Sequence, residues 1–261
     1  MQAMGSAIQA APPPFFGLAA HPVRWRLLTE LADSDLRVRE LVALVREPQN
    51  LVSYHLRLLR DAGLVAARRS SSDARDSYYR LDLDRCDDEL RSSGNALHPA
   101  LLASPWGGRP VDARQSSRVS VLFACTGNGA RSPIAEALLR SRSGNHVDVT
   151  SGGSQPKPVM HPHAVRVLRD HYAIDIANQR PRHLDSFAGQ RFDFVITLCD
   201  KVREVCPHLG DSSHHVHWSI ADPAAPDGNQ ADYSDFVRTA AEIDNRVRHL
   251  LATLALKEAQ P

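Results

Sequence analysis

The sequence predicts two domains of different class: a small α+β domain, then a three-layer α/β domain built on a four-stranded parallel sheet. Three observations predict this. A chain of 261 residues is long enough for two domains of ordinary size. Residues 20–91 show helical apolar spacing and then two β-rich runs around a polar loop. Residues 118–257 alternate strand-like and helix-like segments, the pattern of a parallel sheet covered by helices. Between them, 92–117 holds SSGN, SPWGGRP and DARQSS and reads as a linker. Residues 1–19 are rich in Ala and Pro and read as a loosely ordered tail.

The first domain opens with a helix over 21–31, where Val23, Leu27, Leu28 and Leu31 share one face. A second helix over 36–45 repeats the spacing with Leu36, Leu41, Val42 and Val45. Pro48 breaks it, and a third helix runs from about 50 to 62 on Leu51, Val52, Leu56, Leu58 and Leu59. Gly63 ends that helix, because a residue just past a helix end commonly takes the left-handed conformation. Segments 64–69 and 78–83 flank SSSDARDS and form a hairpin, followed by a short helix over 84–91. In the second domain the expected strands are 119–124, 147–151, 192–198 and 216–218, and the expected helices are 132–143, 163–172 and 233–254. A parallel sheet places its ligand beyond the carboxyl ends of its strands, where Cys125 and Cys199 both fall.

Composition narrows the function. No apolar run reaches eighteen residues, so no membrane span is expected. The first residues lack the basic and apolar regions of a signal peptide. Four cysteines are too few for a disulfide framework, which points to a cytoplasmic protein with chemically active thiols. A net charge of +1 confines any nucleic-acid contact to a local patch.

The chemistry concentrates at Cys125. The apolar run VSVLFA leads into Cys125, Thr126, Gly127, Asn128, Gly129, Ala130, Arg131 and Ser132, a C-x5-R loop that opens a helix. Loop amides and a helix N-terminus offer unsatisfied N–H groups to an oxyanion, and Arg131 can grip two of its oxygens at once. The same field favours the thiolate of Cys125. Cys199 and Cys206 follow, seven residues apart, and Asp222-Pro223 lies beyond them. Seven residues of helix span about 10.5 Å, whereas disulfide-bonded Cα atoms lie within roughly 7 Å. If 199–206 is helical when reduced, it must unwind to form a bridge.

The loop CTGNGARS, Ala135-Glu136, VITLCDKVREVCP and HWSIADPA resemble arsenate reductases built on the low-molecular-weight tyrosine phosphatase fold. The resemblance implies a three-thiol relay through Cys125, Cys199 and Cys206, with Asp222 as general acid. It implies arsenate as substrate, no tightly bound cofactor, and an external reductant, either thioredoxin or a low-molecular-weight thiol system. It also places a monovalent cation at Asn128, Glu136, Ser151 and Asp185. Against a plain phosphatase, Asp222-Pro223 is followed by Ala-Ala rather than a tyrosine pair.

HPVRWRLLTELA, the helix pair around Pro48 and SYHLRLLRDAGLVAARR resemble ArsR-type winged helix-turn-helix repressors. That resemblance implies operator DNA as partner and a homodimer formed through this domain. Gln49, Asn50, Ser53, Tyr54 and Arg57 would face the DNA from the third helix, with Arg68 and Arg69 on the hairpin. From Arg46 to Arg80 there are seven arginines against four acids, a local excess suited to phosphate. Arsenite-sensing members use two or three cysteines, whereas this half holds Cys86 alone. The leading reading is an arsenic-resistance protein joining a regulator to a thiol-dependent arsenate reductase. A tyrosine phosphatase joined to a DNA-binding domain, or a non-catalytic oxyanion sensor, are the alternatives.

Overall fold

The computed structural model describes residues 12–98, 118–144, 146–205, 214–224 and 232–258. Two compact units emerge, and neither is continuous in sequence. The first gathers Met1–Ala32, Val38–Ala67 and Tyr79–Gly107; the second gathers Asp33–Arg37, Arg68–Tyr78 and Gly108–Pro261. Among the described residues, no helix is long and apolar enough to cross a membrane.

The first unit is helical. Helix α1 (Pro14–Ala19) is followed by α2 (Pro22–Glu30), α3 (Val38–Val45), α4 (Gln49–Asp61) and α5 (Leu83–Leu97). His21 caps α2, its ring Nδ1 accepting from the Val23 N–H at 3.2 Å, and Pro22 supplies the first helical residue. On α4 the residues Val52, Leu56 and Leu59 fall at helical spacing and are fully buried; Leu27 of α2 and Leu41 and Val45 of α3 are equally buried. Each such side chain contributes roughly 1.5–3 kcal/mol by leaving water. Gly63 ends α4 with φ +76°, a conformation that costs an L side chain strain.

Three expectations are corrected here. The supposed tail contains α1, because Phe15 and Ala19, four residues apart, bury one face and Pro14 starts the helix. The supposed short helix before the linker runs on to Leu97. Asp82 caps it by accepting from the Arg85 N–H at 3.0 Å, and Arg85–Glu89 and Arg91–Asp87 pairs brace its outer face. The second expected helix also starts late, since β1 (Leu36–Arg37) takes its first two residues. With β2 (Val65–Arg69) and β3 (Ser77–Leu81) it forms a sheet of order β1-β3-β2.

The second unit carries a parallel sheet of β4 (Val119–Cys125), β5 (Val147–Gly153), β6 (Phe194–Thr197) and β7 (His214–His217), in the order β5-β4-β6-β7. Helix α6 (Arg131–Ser143) packs against β4, β5 and α9 (Tyr233–Glu258), and α7 (Pro162–Tyr172) packs against α6 and α9. The core joins Val121 and Phe123 of β4, Val195 and Ile196 of β6, Ile134 and Leu138 of α6, and Phe236, Ile243 and Val247 of α9. All four expected strands and the three expected helices are present, with shifted ends. Two elements were not expected as such, a 3-10 turn at Leu184–Phe187 and a short helix, α8 (Asp200–Val205).

Candidate active site at the Cys125 loop

β4 ends at Cys125 in parallel register with Gly153 of β5, and the loop between β4 and α6 rises from that point. A Cβ on Gly153 would lie 2.6 Å from the Thr126 carbonyl oxygen and 2.9 Å from the Asn128 nitrogen, so only glycine lets the loop settle there. Cys125 is buried, with its Sγ 3.0 Å from the Ser132 hydroxyl oxygen, and the Asn128 N–H donates to that sulfur at 3.2 Å. Asn128 itself holds φ +43°, a left-handed conformation that asparagine tolerates better than most side chains. Lys157, unnoticed in the sequence, lies against the loop: its N–H donates to the Gly127 carbonyl at 2.8 Å.

The other expected groups converge. Arg131 is 5% exposed and donates from Nη1 to the Ile220 carbonyl at 3.1 Å and from Nη2 to Asp222 Oδ2 at 2.7 Å. The guanidinium and the carboxyl thus already face each other across the loop. Cys199 follows β6 and is buried, with its Sγ 3.3 Å from Thr126 Oγ1. Burial pushes its thiol up, Arg131 pulls it down, and a charge on Cys125 pushes it up again, so the two sulfurs feel one another. Cys206 lies outside the described residues.

Asn128, Glu136 and Ser151 also meet, but in a form that does not suit a cation. Asn128 Nδ2 donates to Ser132 Oγ at 2.9 Å and to Ser151 Oγ at 2.8 Å, and Ser151 donates to Glu136 Oε2 at 2.6 Å. Arg140 Nη2 occupies Glu136 Oε1 and Arg182 Nη2 occupies Oε2, both at 2.7 Å. The Arg182 N–H takes Asn128 Oδ1 at 2.7 Å. Asp185 turns away, with an 89% exposed side chain beside His183 Nδ1. Two guanidinium charges on one carboxylate repel a third positive charge, so these residues do not fit the expected cation. Arg182 is 54 positions from Asn128, and no local motif pointed to it.

A second polar cluster follows Cys199 directly. Asp200 Oδ1 accepts from Ser219 Oγ at 2.7 Å and faces His217 Nε2 at 3.1 Å. Its Oδ2 accepts from the Ser71 N–H at 2.6 Å, from Ser71 Oγ at 2.9 Å and from Arg68 Nη2 at 3.0 Å. Burial alone would push the Asp200 carboxyl up; the bonds from His217, Ser219 and Ser71, with the Arg68 charge, overcome it and hold it far below the usual carboxylate range. Burial pushes His217 down against the pull of Asp200, which favours a neutral ring donating from Nε2 while Nδ1 accepts from Thr197 Oγ1 at 2.8 Å. Arg68, expected at DNA, is therefore engaged inside the second unit, where its Nε also donates to the Ser219 carbonyl at 2.9 Å.

In the first unit, Gln49, Asn50, Ser53, Tyr54 and Arg57 all lie on the exposed side of α4, with the Arg57 guanidinium 5.8 Å from the Tyr54 ring centre. Arg69, which falls in the second unit, is exposed, and its Nη1 donates to the Ala74 carbonyl at 2.8 Å. Cys86 is pushed up to about 11 by burial first, then by Asp82 and Glu89, so its thiolate is scarce near neutrality. A lone protonated thiol is a weak metalloid ligand.

The family described as low molecular weight phosphotyrosine protein phosphatase matches residues 120–260, and the bacterial regulatory protein arsR family matches residues 21–67. A protein named arsenate reductase from Bacillus cereus (strain Q1) is 34% identical over 137 residues, spanning 52% of this chain and 97% of that protein. One of the same name from Halalkalibacterium halodurans is 34% identical over 134 residues, 51% of this chain and 95% of that protein. A solved structure described as an arsenate reductase in the phosphate binding state is 27% identical, covers 52% of this chain and 98% of its own, and has a TM-score of 0.45. The chain belongs to the low-molecular-weight phosphotyrosine protein phosphatase family and carries an arsR-family regulatory segment ahead of that domain.

Proposed function

We propose that the second unit reduces arsenate to arsenite and that the first is a DNA-binding regulator of the ArsR type. One observation carries the reductase reading over a phosphatase: a second buried thiol, Cys199, sits against Thr126 in the loop that holds Cys125. A phosphatase needs one thiol, whereas reduction of arsenic by two electrons needs two. The relatives matched over nearly their whole length are named arsenate reductases, which supports the same choice.

The steps follow from the residues. The Cys125 thiolate attacks arsenic, a sulfur–arsenic bond forms, and one arsenic–oxygen bond breaks. Arg131 turns from Asp222 to the bound oxyanion, and Asp222, as the protonated carboxyl, supplies the proton that lets this oxygen leave as water. Arg131 and the loop amides hold the remaining oxygens. Cys199, as thiolate, then attacks Cys125 Sγ. A disulfide forms, the sulfur–arsenic electron pair stays on arsenic, and arsenite leaves. Cys206 attacks Cys199 in turn, frees Cys125 as thiolate and carries the disulfide to an external dithiol. Helix α8 begins right after Cys199, so this last exchange requires α8 to unwind. Thioredoxin or a low-molecular-weight thiol system is the reductant, operator DNA the partner of the first unit, and the cytoplasm the site of action.

The test is arsenate turnover by the full-length protein with each reductant, beside hydrolysis of an aryl phosphate. Cys125→Ser should abolish turnover. Cys206→Ala should stop after one arsenite per protein, with peptides of Cys125 and Cys199 found linked by mass spectrometry. Steady turnover by Cys206→Ala with thioredoxin would reject the three-thiol relay, and aryl phosphate hydrolysis without arsenate turnover would favour the phosphatase.

A further inference from the structure

We infer that Arg182 is a positioning residue for Cys125, its guanidinium filling from within the chain the charge position that a monovalent cation would occupy at Glu136. The inference deepens the proposed function, since it rests on Cys125 as nucleophile.

The argument follows the direction of the hydrogen bonds. Arg182 holds three points at once: its side chain donates to Glu136 Oε2, its N–H donates to Asn128 Oδ1, and its carbonyl accepts from the Gly153 N–H at 2.9 Å. With Oδ1 committed to an N–H, the Asn128 amide has one orientation, and both its Nδ2 hydrogens point at hydroxyl oxygens, those of Ser132 and Ser151. Ser151 Oγ, already accepting, must send its own hydrogen to Glu136 Oε2. Ser132 Oγ, also accepting, has its hydrogen free for Cys125 Sγ at 3.0 Å; its other acceptor, the Gly152 carbonyl, is 3.5 Å away. That hydroxyl, held in one orientation, fixes the direction from which the sulfur is hydrogen-bonded.

Glu136 anchors this order as an acceptor on both oxygens, Oε1 from Arg140 and Oε2 from Ser151 and Arg182. The group is almost wholly buried, and a buried carboxylate needs a counter-charge. Arg140 and Arg182 provide two, one on each oxygen. Of these only Arg182 also grips Asn128 and Gly153 through its main chain, which ties the counter-charge to the loop itself.

The experiment uses the full-length protein as wild type, Arg182→Gln and Arg182→Lys, in tetramethylammonium buffer with or without potassium at constant ionic strength. Iodoacetamide alkylation of Cys125 is followed by mass spectrometry of the tryptic peptide 119–131, in which Cys125 is the sole cysteine. Wild type should alkylate at the same rate with or without potassium. Arg182→Gln should be slower by on the order of tenfold, the scale of one charge-assisted hydrogen bond, and potassium should restore part of the rate. Arg182→Lys should keep most of the rate, because the ammonium also supplies a charge. Acceleration of the wild type by potassium would overturn the inference even if Arg182→Gln failed to fold. So would a wild-type rate in a folded Arg182→Gln protein. No arsenate enters the assay, so a failure of the reductase reading shows separately, in turnover.

Discussion

Burial pushes the Cys199 thiol above its ordinary range, Arg131 opposes this, and a charged Cys125 reinforces it. The neutral thiol is therefore the resting form, and the step in which Cys199 attacks Cys125 draws on a small thiolate fraction near neutrality. Arsenite release from Cys206→Ala in a single turnover should accelerate as pH rises past about 8.5, the reference value for a free thiol. Rapid quench at a series of pH values measures this, and a flat profile up to pH 9 would oppose it. The stability sign agrees: the raised group favours the fold below its unfolded value, and that contribution is lost as pH rises through the folded one. At this scale the sequence is legible where chemistry is contiguous. The loop from Cys125 to Ser132 and the pair Asp222-Pro223 each announce their role within a few residues. Arg182 does not, because it lies 54 positions from Asn128 and meets the loop only in the folded chain, where its N–H donates to Asn128 Oδ1.

Helix α4 shows why some elements are readable and others are not. Its stripe of Val52, Leu56 and Leu59 has the helical period, so the opposite side, with Gln49, Asn50, Ser53, Tyr54 and Arg57, could be named in advance as exposed. Arg57 stands on that side beside Tyr54, and the proposed DNA contact would set it against a base edge or a phosphate. In the full-length protein Arg57→Ala should weaken operator binding by about 1–3 kcal/mol if it reads a guanine, with relaxed specificity at one position. If it meets only phosphate, binding should weaken evenly across sequences with a shallower salt dependence. Fluorescence anisotropy on operator variants separates the two outcomes, and unchanged affinity would remove α4 from the interface. By contrast, α1 hides in a Pro- and Ala-rich stretch whose composition suggests a tail, and only the pair Phe15 and Ala19 marks a buried face. The end of α5 is masked by Ser92, Ser93 and Gly94, poor helix formers that the structure nonetheless holds in the helix. Nor does α8 advertise itself, since six residues carry too little period to be read.

For the molecule as a whole, Asp200 sets a limit at low pH. Its carboxyl is held far below the usual range by donors that together outweigh its burial. A depressed carboxyl stabilises the fold above its unfolded value, near 3.9, and that contribution is lost as pH falls toward the folded value. The thermal midpoint should therefore hold from pH 7 to about 5 and drop below about 4. Asp200→Asn should cost about 3 kcal/mol at pH 7, because it leaves Arg68 without its counter-charge and turns one acceptor oxygen into a donor facing other donors. Calorimetry over pH tests both, and equal stability of variant and wild type at pH 7 would contradict the assignment. The same cluster bears on how such a chain can be taken apart or recombined. Arg246 of α9 clasps Asp35 with two bonds of 2.9 Å, and Asp200 takes its donors from Arg68 and Ser71. Both partners come from stretches that precede residue 99 in the chain. Cutting the polypeptide between 99 and 117 would part Arg246 from Asp35 and Asp200 from Arg68 and Ser71, leaving Glu242 to the one and His217 and Ser219 to the other. The catalytic fragment made by such a cut should be less stable than the full-length protein, a loss that calorimetry of the two would show.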